Sequence, residues 1–211
     1  MTLPTTGPVR IGLLLKGSEA DGSVPHVSAL TQEVIARLHA RGARVDLIVP
    51  ENGPFDIAEV RPACDLYVLK EKTPLILSFA GALTTAGAAV VNTFRSCSLT
   101  RDKIAATAVL AGAGVPVPPS WTTGEPAQFR ALLGGEPLWL KPPQGSRGSG
   151  VVRLTAASGL EGQQTQLDVH GLALPLFAQR EVPSEGRDLK VFVVGEQTWA
   201  IARPFPARTL A

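Results

Sequence analysis

Leu138-Trp139-Leu140-Lys141-Pro142-Pro143-Gln144-Gly145-Ser146-Arg147-Gly148-Ser149-Gly150-Val151-Val152-Arg153-Leu154 reads as a strand, a glycine-rich loop and a second strand. The first strand delivers Lys141 to its end. A simple hairpin connection needs only about two to five residues, so the length of the stretch from Pro142 to Gly150 asks for a reason. Gly145, Gly148 and Gly150 leave main-chain N–H groups open to an anion, and a neighbouring lysine supplies the point charge for a phosphate. Taken alone, such a stretch can equally be an ordinary surface loop.

The flanking sequence extends the pattern in both directions. Leu174 to Val182 reads as a strand that runs into a connection at Pro183-Ser184-Glu185-Gly186. Asp188 to Val194 and Gln197 to Ile201 are two further strands around Gly195-Glu196, a pair suited to a type II′ hairpin turn. On the other side, Ser98 or Thr100 can cap a helix that runs to about Ala113, with Ile104, Thr107, Ala108 and Ala111 on one face and Gly114 beyond its end. Arg101-Asp102-Lys103 reads by itself as an exposed, charged first turn. Pro116, Pro118 and Pro119 make a stiff link, and Pro126 to Leu133 is another helix candidate.

The first half alternates between two periodicities. Arg10 to Leu15 is a nearly continuous apolar run, as expected of a strand buried on both faces of a parallel sheet. Val27, Leu30, Val34 and Leu38 recur at helical spacing, with Gly42 just past the end. Val45 to Val49, Leu66 to Leu69 and Ala89 to Asn92 read as three more strands, and Thr73-Pro74 starts a helix that runs to about Gly87. Alternation of this kind predicts an open parallel sheet with right-handed crossovers. Lys16-Gly17-Ser18-Glu19-Ala20 after the first strand matches neither the Gly-x-Gly-x-x-Gly turn nor a Walker-type loop. This half is therefore expected to be a scaffold or a substrate-side lobe.

Composition narrows the class. The 211 residues are 45% hydrophobic, 18% charged and 5% aromatic, which is ordinary globular usage rather than a disordered or collagen-like chain. Lys plus Arg number 20 against 18 Asp plus Glu, a formal charge of +2, so no dense basic face for nucleic acid is expected. Cys64 and Cys97 are too few for a disulfide scaffold and lack zinc-site spacing, so both are expected to be buried small residues. His26, His39 and His170 have no metal-ligand spacing. No segment reads as a secretory signal, and no apolar stretch approaches the ~18 to 20 residues of a membrane span. A cytoplasmic location is the expectation.

From Asn92 to Arg203 the ordered set of motifs resembles the ATP-grasp superfamily. Ser98 to Lys103, Leu140-Lys141-Pro142 with its glycine-rich loop, and Gln179 to Val182 look most like RimK-type carboxylate-amine ligases. Lys190 to Glu196 with Arg203-Pro204 are also similar to inositol trisphosphate kinases of the same fold. The resemblance implies an α/β N-terminal lobe with an open parallel sheet, the pre-ATP-grasp lobe, followed by an α+β ATP-grasp lobe that lacks its C-terminal part. In domain terms these are residues 1–97, a central subdomain at 98–178 with the glycine-rich loop, and the start of a C-terminal subdomain at 179–211.

The resemblance also implies roles. Lys103 and Lys141 match the lysines that hold the triphosphate of ATP, and Gly145, Ser146, Gly148, Ser149 and Gly150 match the loop that closes over it. Gln179, Arg180, Glu181 and Val182 match the hinge whose main chain meets adenine, and Asp188 matches the acid that holds the ribose. Lys190 is a candidate substrate contact. The family usually has an acid directly after the glutamine, where this chain has Arg180 and then Glu181. The implied partners are small-molecule or peptide carboxylates and amines.

The implied cofactor Mg²⁺ would take carboxylates that in the family lie beyond the hairpin, and no residue before Ala211 matches them. The expectation is thus a ligase fragment inactive by itself, whose hairpin is poorly ordered in a monomer or is completed by a second copy or a complementing chain. An inositol-phosphate-kinase fragment and a non-catalytic nucleotide-binding module are the alternatives.

Overall fold

The computed structural model describes residues 7–17, 27–145, 150–155 and 175–205. The chain divides into two compact units, residues 1–100 and 101–211. In the first, β1 (Arg10–Leu14), β2 (Arg44–Ile48), β3 (Leu66–Leu69) and β4 (Val90–Val91) form one parallel sheet in the order β2-β1-β3-β4. The α/β class expected of this half is what the structure has. Gly12 interrupts the apolar run of β1 because a Cβ there would lie 2.8 Å from the Tyr67 ring and 2.9 Å from Ile48 Cδ1. Tyr67 is buried across that gap, and its hydroxyl accepts from the main-chain N–H groups of Ala63 at 2.8 Å and Cys64 at 3.3 Å.

The helices of this unit show where apolar spacing suffices and where it does not. In α2 (Pro74–Thr85) the Thr73 side chain accepts from Ile76 N at 3.1 Å with Pro74 in the first turn, and Ile76, Ala80 and Leu83 form one buried face. They pack with Leu14, Tyr67, Leu69, Val90 and Cys97 into the core. In α1 (Ala29–Ala40) the predicted stripe is displaced: Leu30 and Val34 are exposed, whereas Thr31 is buried and Ile35 and Leu38 are half-buried. Thr31 shares a hydrogen bond with the capping Ser28 hydroxyl at 2.9 Å, so its side-chain oxygen is satisfied at that depth.

The helix predicted from Ser98 or Thr100 to Ala113 is two helices, α3 (Phe94–Arg101) and α4 (Lys103–Gly112). Asp102 makes the break. Its backbone is extended, with φ −99° and ψ 109°, and its Oδ1 accepts from Ile104 N at 2.9 Å and Ala105 N at 3.0 Å, so it restarts the chain as an N-cap. Thr93, not Ser98, caps α3 by accepting from Ser96 N at 3.2 Å.

The second unit is built on an antiparallel sheet of β5 (Ser120–Thr123), β6 (Leu138–Lys141), β7 (Val152–Leu154) and β8 (Leu176–Arg180) in the order β5-β8-β6-β7. Strand β5 escapes the sequence reading because it is short and follows a proline-rich link. Pro126–Leu132 is helical as predicted but winds as a 3-10 helix. Leu138, Leu140, Leu154, Leu176 and Ala178 alternate onto one face and bury against Phe129 of that helix. A separate two-stranded sheet pairs β9 (Arg187–Val194) with β10 (Gln197–Pro204); the inner ends match the prediction, β9 starts at Arg187 rather than Asp188 and β10 ends at Pro204 rather than Ile201, and its residues are almost all exposed.

Candidate functional site

Two of the sequence-selected residues meet at the base of the glycine-rich loop. Lys103 opens α4 immediately after the Asp102 cap. Its main-chain N–H donates to Pro143 O at 2.9 Å, and its Nζ donates to Pro142 O at 2.9 Å and Gly145 O at 3.3 Å. Far from being a merely exposed charged turn, the Arg101-Asp102-Lys103 stretch ties the helix start to the loop.

Lys141 reaches the site by strand alternation. Leu138 and Leu140 point into the core, so Trp139 and Lys141 take the opposite face of β6. Lys141 Nζ donates to Gln179 Oε1 on the adjacent β8 at 2.9 Å. Gln179 Nε2 donates to Ser120 Oγ on β5 at 3.1 Å, and Ser120 Oγ donates to Pro118 O at 2.7 Å. The sequence gives no signal for Ser120, because its place beside Gln179 exists only once β5 pairs with β8.

Both ammonium groups sit in surroundings that disfavour their charge. Burial lowers the pKa of Lys141, and the nearby charge of Lys103 lowers it further. Burial also lowers that of Lys103, partly offset by Asp102. Among the described residues neither ammonium has a carboxylate in ion-pair contact. Gly145 and Gly150 border the loop at φ +145° and +68°, conformations that side chains rarely take. Ser146, Gly148 and Ser149 lie outside the described residues, as do His26 and His170.

The residues expected at a hinge are placed differently from one another. Gln179 faces Lys141. The Arg180 guanidinium donates to the carbonyls of Glu136 and Leu132, the latter at 2.8 Å, and sits 5.3 Å over the Trp121 ring. Glu181 accepts from Arg153 at 2.9 and 2.6 Å, and that hydrogen bonding holds its carboxyl below the usual carboxylate range. The N–H groups of Arg180 and Glu181 donate to Pro119 O and Pro137 O, both at 2.9 Å. Side chains 180 and 181 are thus committed to the lobe itself, and Val182 is the next N–H along the stretch.

The remaining candidates lie in the hairpin sheet. Asp188 pairs across the strands with Arg203 at 3.1 and 2.6 Å, which lowers its pKa. Lys190 Nζ sits 4.8 Å from the Phe192 ring centre. In the first unit, a cavity of about 360 Å³ opens beside the end of β4, lined in part by Lys72, Asn92, Thr93 and Ser96. It lies near the carboxyl edge of the sheet, where open parallel sheets place ligands.

The described acids nearest the candidate residues are engaged by protein groups rather than gathered for magnesium. No cluster of three or more His, Cys, Asp or Glu side chains that could hold a metal occurs among the described residues. Asp102 caps α4, Glu181 holds Arg153 and Asp188 holds Arg203, so no step is assigned through the ion. No described helix is long and apolar enough to cross a membrane. Cys97 is buried as expected; Cys64 is half-buried, and burial raises its thiol pKa.

No family model matches the chain. A curated relative named probable alpha-L-glutamate ligase 2, from Shewanella amazonensis, is 27% identical over 196 residues, which cover 82% of this chain and 62% of the relative. The chain thus spans less than two thirds of the length of that relative. The crystal structure of a RimK domain ATP-grasp protein from Sphaerobacter thermophilus matches at a TM-score of 0.66 with 20% identity, over 86% of this chain and 68% of that one. A D-alanine–D-alanine ligase from Bacillus anthracis, solved with ATP, matches at 0.63 with 16% identity, over 95% and 72%.

The chain has the ATP-grasp fold. Within that fold, its sequence is similar to those of curated proteins named probable alpha-L-glutamate ligase.

Proposed function

We propose that this chain forms the nucleotide-binding part of an ATP-dependent carboxylate-amine ligase of RimK-like type. The observation that carries the reading is that Lys103 Nζ is held on carbonyls at the base of the glycine-rich loop, near enough for its charge to act on Lys141, whose Nζ is held by Gln179, with no acid in ion-pair contact with either among the described residues. Two half-buried cations that repel each other are stabilised together when an anion of higher charge lies between them. A triphosphate meets that requirement. Adenine would then meet the main chain near Val182, since Arg180 and Glu181 are engaged elsewhere.

In this reading the lysines act by positioning and charge neutralisation. A substrate carboxylate oxygen attacks the γ-phosphorus, the β,γ-bridging bond breaks, and ADP departs from an acyl phosphate. The amine then attacks the acyl carbon, and phosphate leaves as the amide forms and the nitrogen loses its proton. Lys141 and Lys103 hold the phosphates in place while charge moves onto ADP. The relative's name makes L-glutamate the first compound to try as one of the joined partners. The kinase reading gains nothing from these relatives, which are ligases by name.

Calorimetric titration with ATP tests the nucleotide site. Binding is expected in the wild type and in Arg37→Ala, an exposed change on α1, and loss of binding in the Lys103→Met/Lys141→Met double variant. Equal affinity in all three proteins would overturn the assignment.

A further inference from the structure

We propose that Ser120 is a positioning residue for Lys141, acting through the amide of Gln179. This deepens the nucleotide reading above, and its binding arm rests on that reading. The contacts run from Lys141 Nζ to Gln179 Oε1 at 2.9 Å, from Gln179 Nε2 to Ser120 Oγ at 3.1 Å, and from Ser120 Oγ to Pro118 O at 2.7 Å.

Chemistry at the two ends fixes the direction of every link. The Pro118 carbonyl can only accept, so the Ser120 hydroxyl donates to it and presents a lone pair to Gln179. At the other end an ammonium can only donate, so the amide oxygen must face Lys141 and the NH₂ must face Ser120. A rotated amide would set N–H against ammonium and carbonyl oxygen against hydroxyl oxygen. The hydroxyl of Ser120 thus reinforces, from the other side of the amide, the orientation that the ammonium requires. Register makes this possible: Ser120 lies opposite Gln179, and Gln179 lies opposite Trp139, two residues from Lys141 on the same face.

The consequence falls on the lysine. Burial and the neighbouring Lys103 both disfavour its charged form, and Lys103 is the charged group that acts on it among the described residues. An amide oxygen held toward Nζ opposes both effects and aims the ammonium at a defined place. Gln179 accordingly supports the lysine with its side chain, and reading of a base is left to the main chain further along.

The test follows Lys141 directly, with ¹³C-labelled lysine Cε signals recorded through a pH titration of the ligand-free chain. In Ser120→Ala, Lys141 is expected to titrate at lower pH than in the wild type, while Lys103 stays in place. Ser120→Thr keeps the hydroxyl and should restore the wild-type titration. Ser120→Val, isosteric with Ser120→Thr, should fail to restore it, which separates the hydroxyl from strand packing even if Ser120→Ala folds poorly. ATP affinity should fall about threefold to tenfold in Ser120→Ala and Ser120→Val and recover in Ser120→Thr. Unchanged Lys141 titration in Ser120→Val overturns the proposal, as does a joint movement of both lysines that Ser120→Thr does not reverse. ATP bound equally by the wild type and Ser120→Val overturns it too. If the wild type binds no ATP, the nucleotide reading falls, while the titration still decides whether Ser120 sets Lys141.

Discussion

The four-stranded sheet of the second unit and the β9–β10 hairpin are both antiparallel, and both gather apolar side chains on one face, yet they end in opposite states. In the sheet, Leu138, Leu140 and Leu154 are fully buried against Phe129. In the hairpin, Leu189, Val191 and Val193 share one face with Thr198, Ala200 and Ala202, and Leu189 and Val193 remain 71% and 67% exposed. Alternation assigns side chains to faces, but only a covering element removes a face from water. Charges differ in the same way. The hairpin's Asp188 has Arg203 across the strands, whereas the lysines behind the glycine-rich loop have no ion pair among the described residues. The region with a finished core carries the unfinished electrostatics, and a ligand site is where that combination is expected.

The largest effect should come from the core of the sheet. Leu140→Ala removes a fully buried side chain and is expected to cost about 2 to 5 kcal/mol, whereas Val193→Ala in the hairpin should stay within about 0.5 kcal/mol. Urea unfolding of the two variants measures this, and equal losses would mean that the hairpin face is covered in solution. Next comes the ligand. Lys141→Met is expected to weaken ATP binding by about tenfold to a hundredfold, and Lys190→Met by less than about twofold, both read by calorimetry. A larger effect at Lys190 would point to nucleotide binding at the hairpin instead of at the proposed site.

A pH series sharpens the electrostatic side. Both lysine pKa values lie below the ordinary 10.5, and a triphosphate favours the charged forms, so ATP affinity should fall as pH rises through that lowered window. Stability of the free chain should move the other way. The unfolded chain keeps these protons until about 10.5 while the folded chain has already released them, so stability rises with pH between the lowered values and 10.5. Lys141→Met should flatten both profiles, and profiles unchanged by it would remove the lysine from the site. The smallest effect is expected at Arg203→Ala. The Asp188–Arg203 pair is solvent-exposed, so thermal unfolding should not shift measurably, and a clear drop would show that the hairpin depends on its ion pair.

Wherever one element's own chemistry suffices, the sequence determined the outcome. Thr73 and Pro74 start α2, apolar runs give the parallel strands, β6 ends on Lys141, and Gly195-Glu196 turns a hairpin, because caps, alternation and turn residues act over a few neighbouring positions. The candidate lysines were legible on the same grounds and through the resemblance of their motifs. Only the tertiary structure decided what depends on pairing. Asp102 splits one expected helix into two and brings Lys103 onto the carbonyls of Pro142 and Gly145, residues distant in sequence. Strand β5 exists as a partner of β8, and with it Ser120 meets Gln179. Arg180 stabilises the carbonyls of Leu132 and Glu136, where the sequence suggested only an unusual hinge. Hydrogen bonds between strands join residues whose separation along the chain carries no local signal, so their partners become visible only once the sheet has closed.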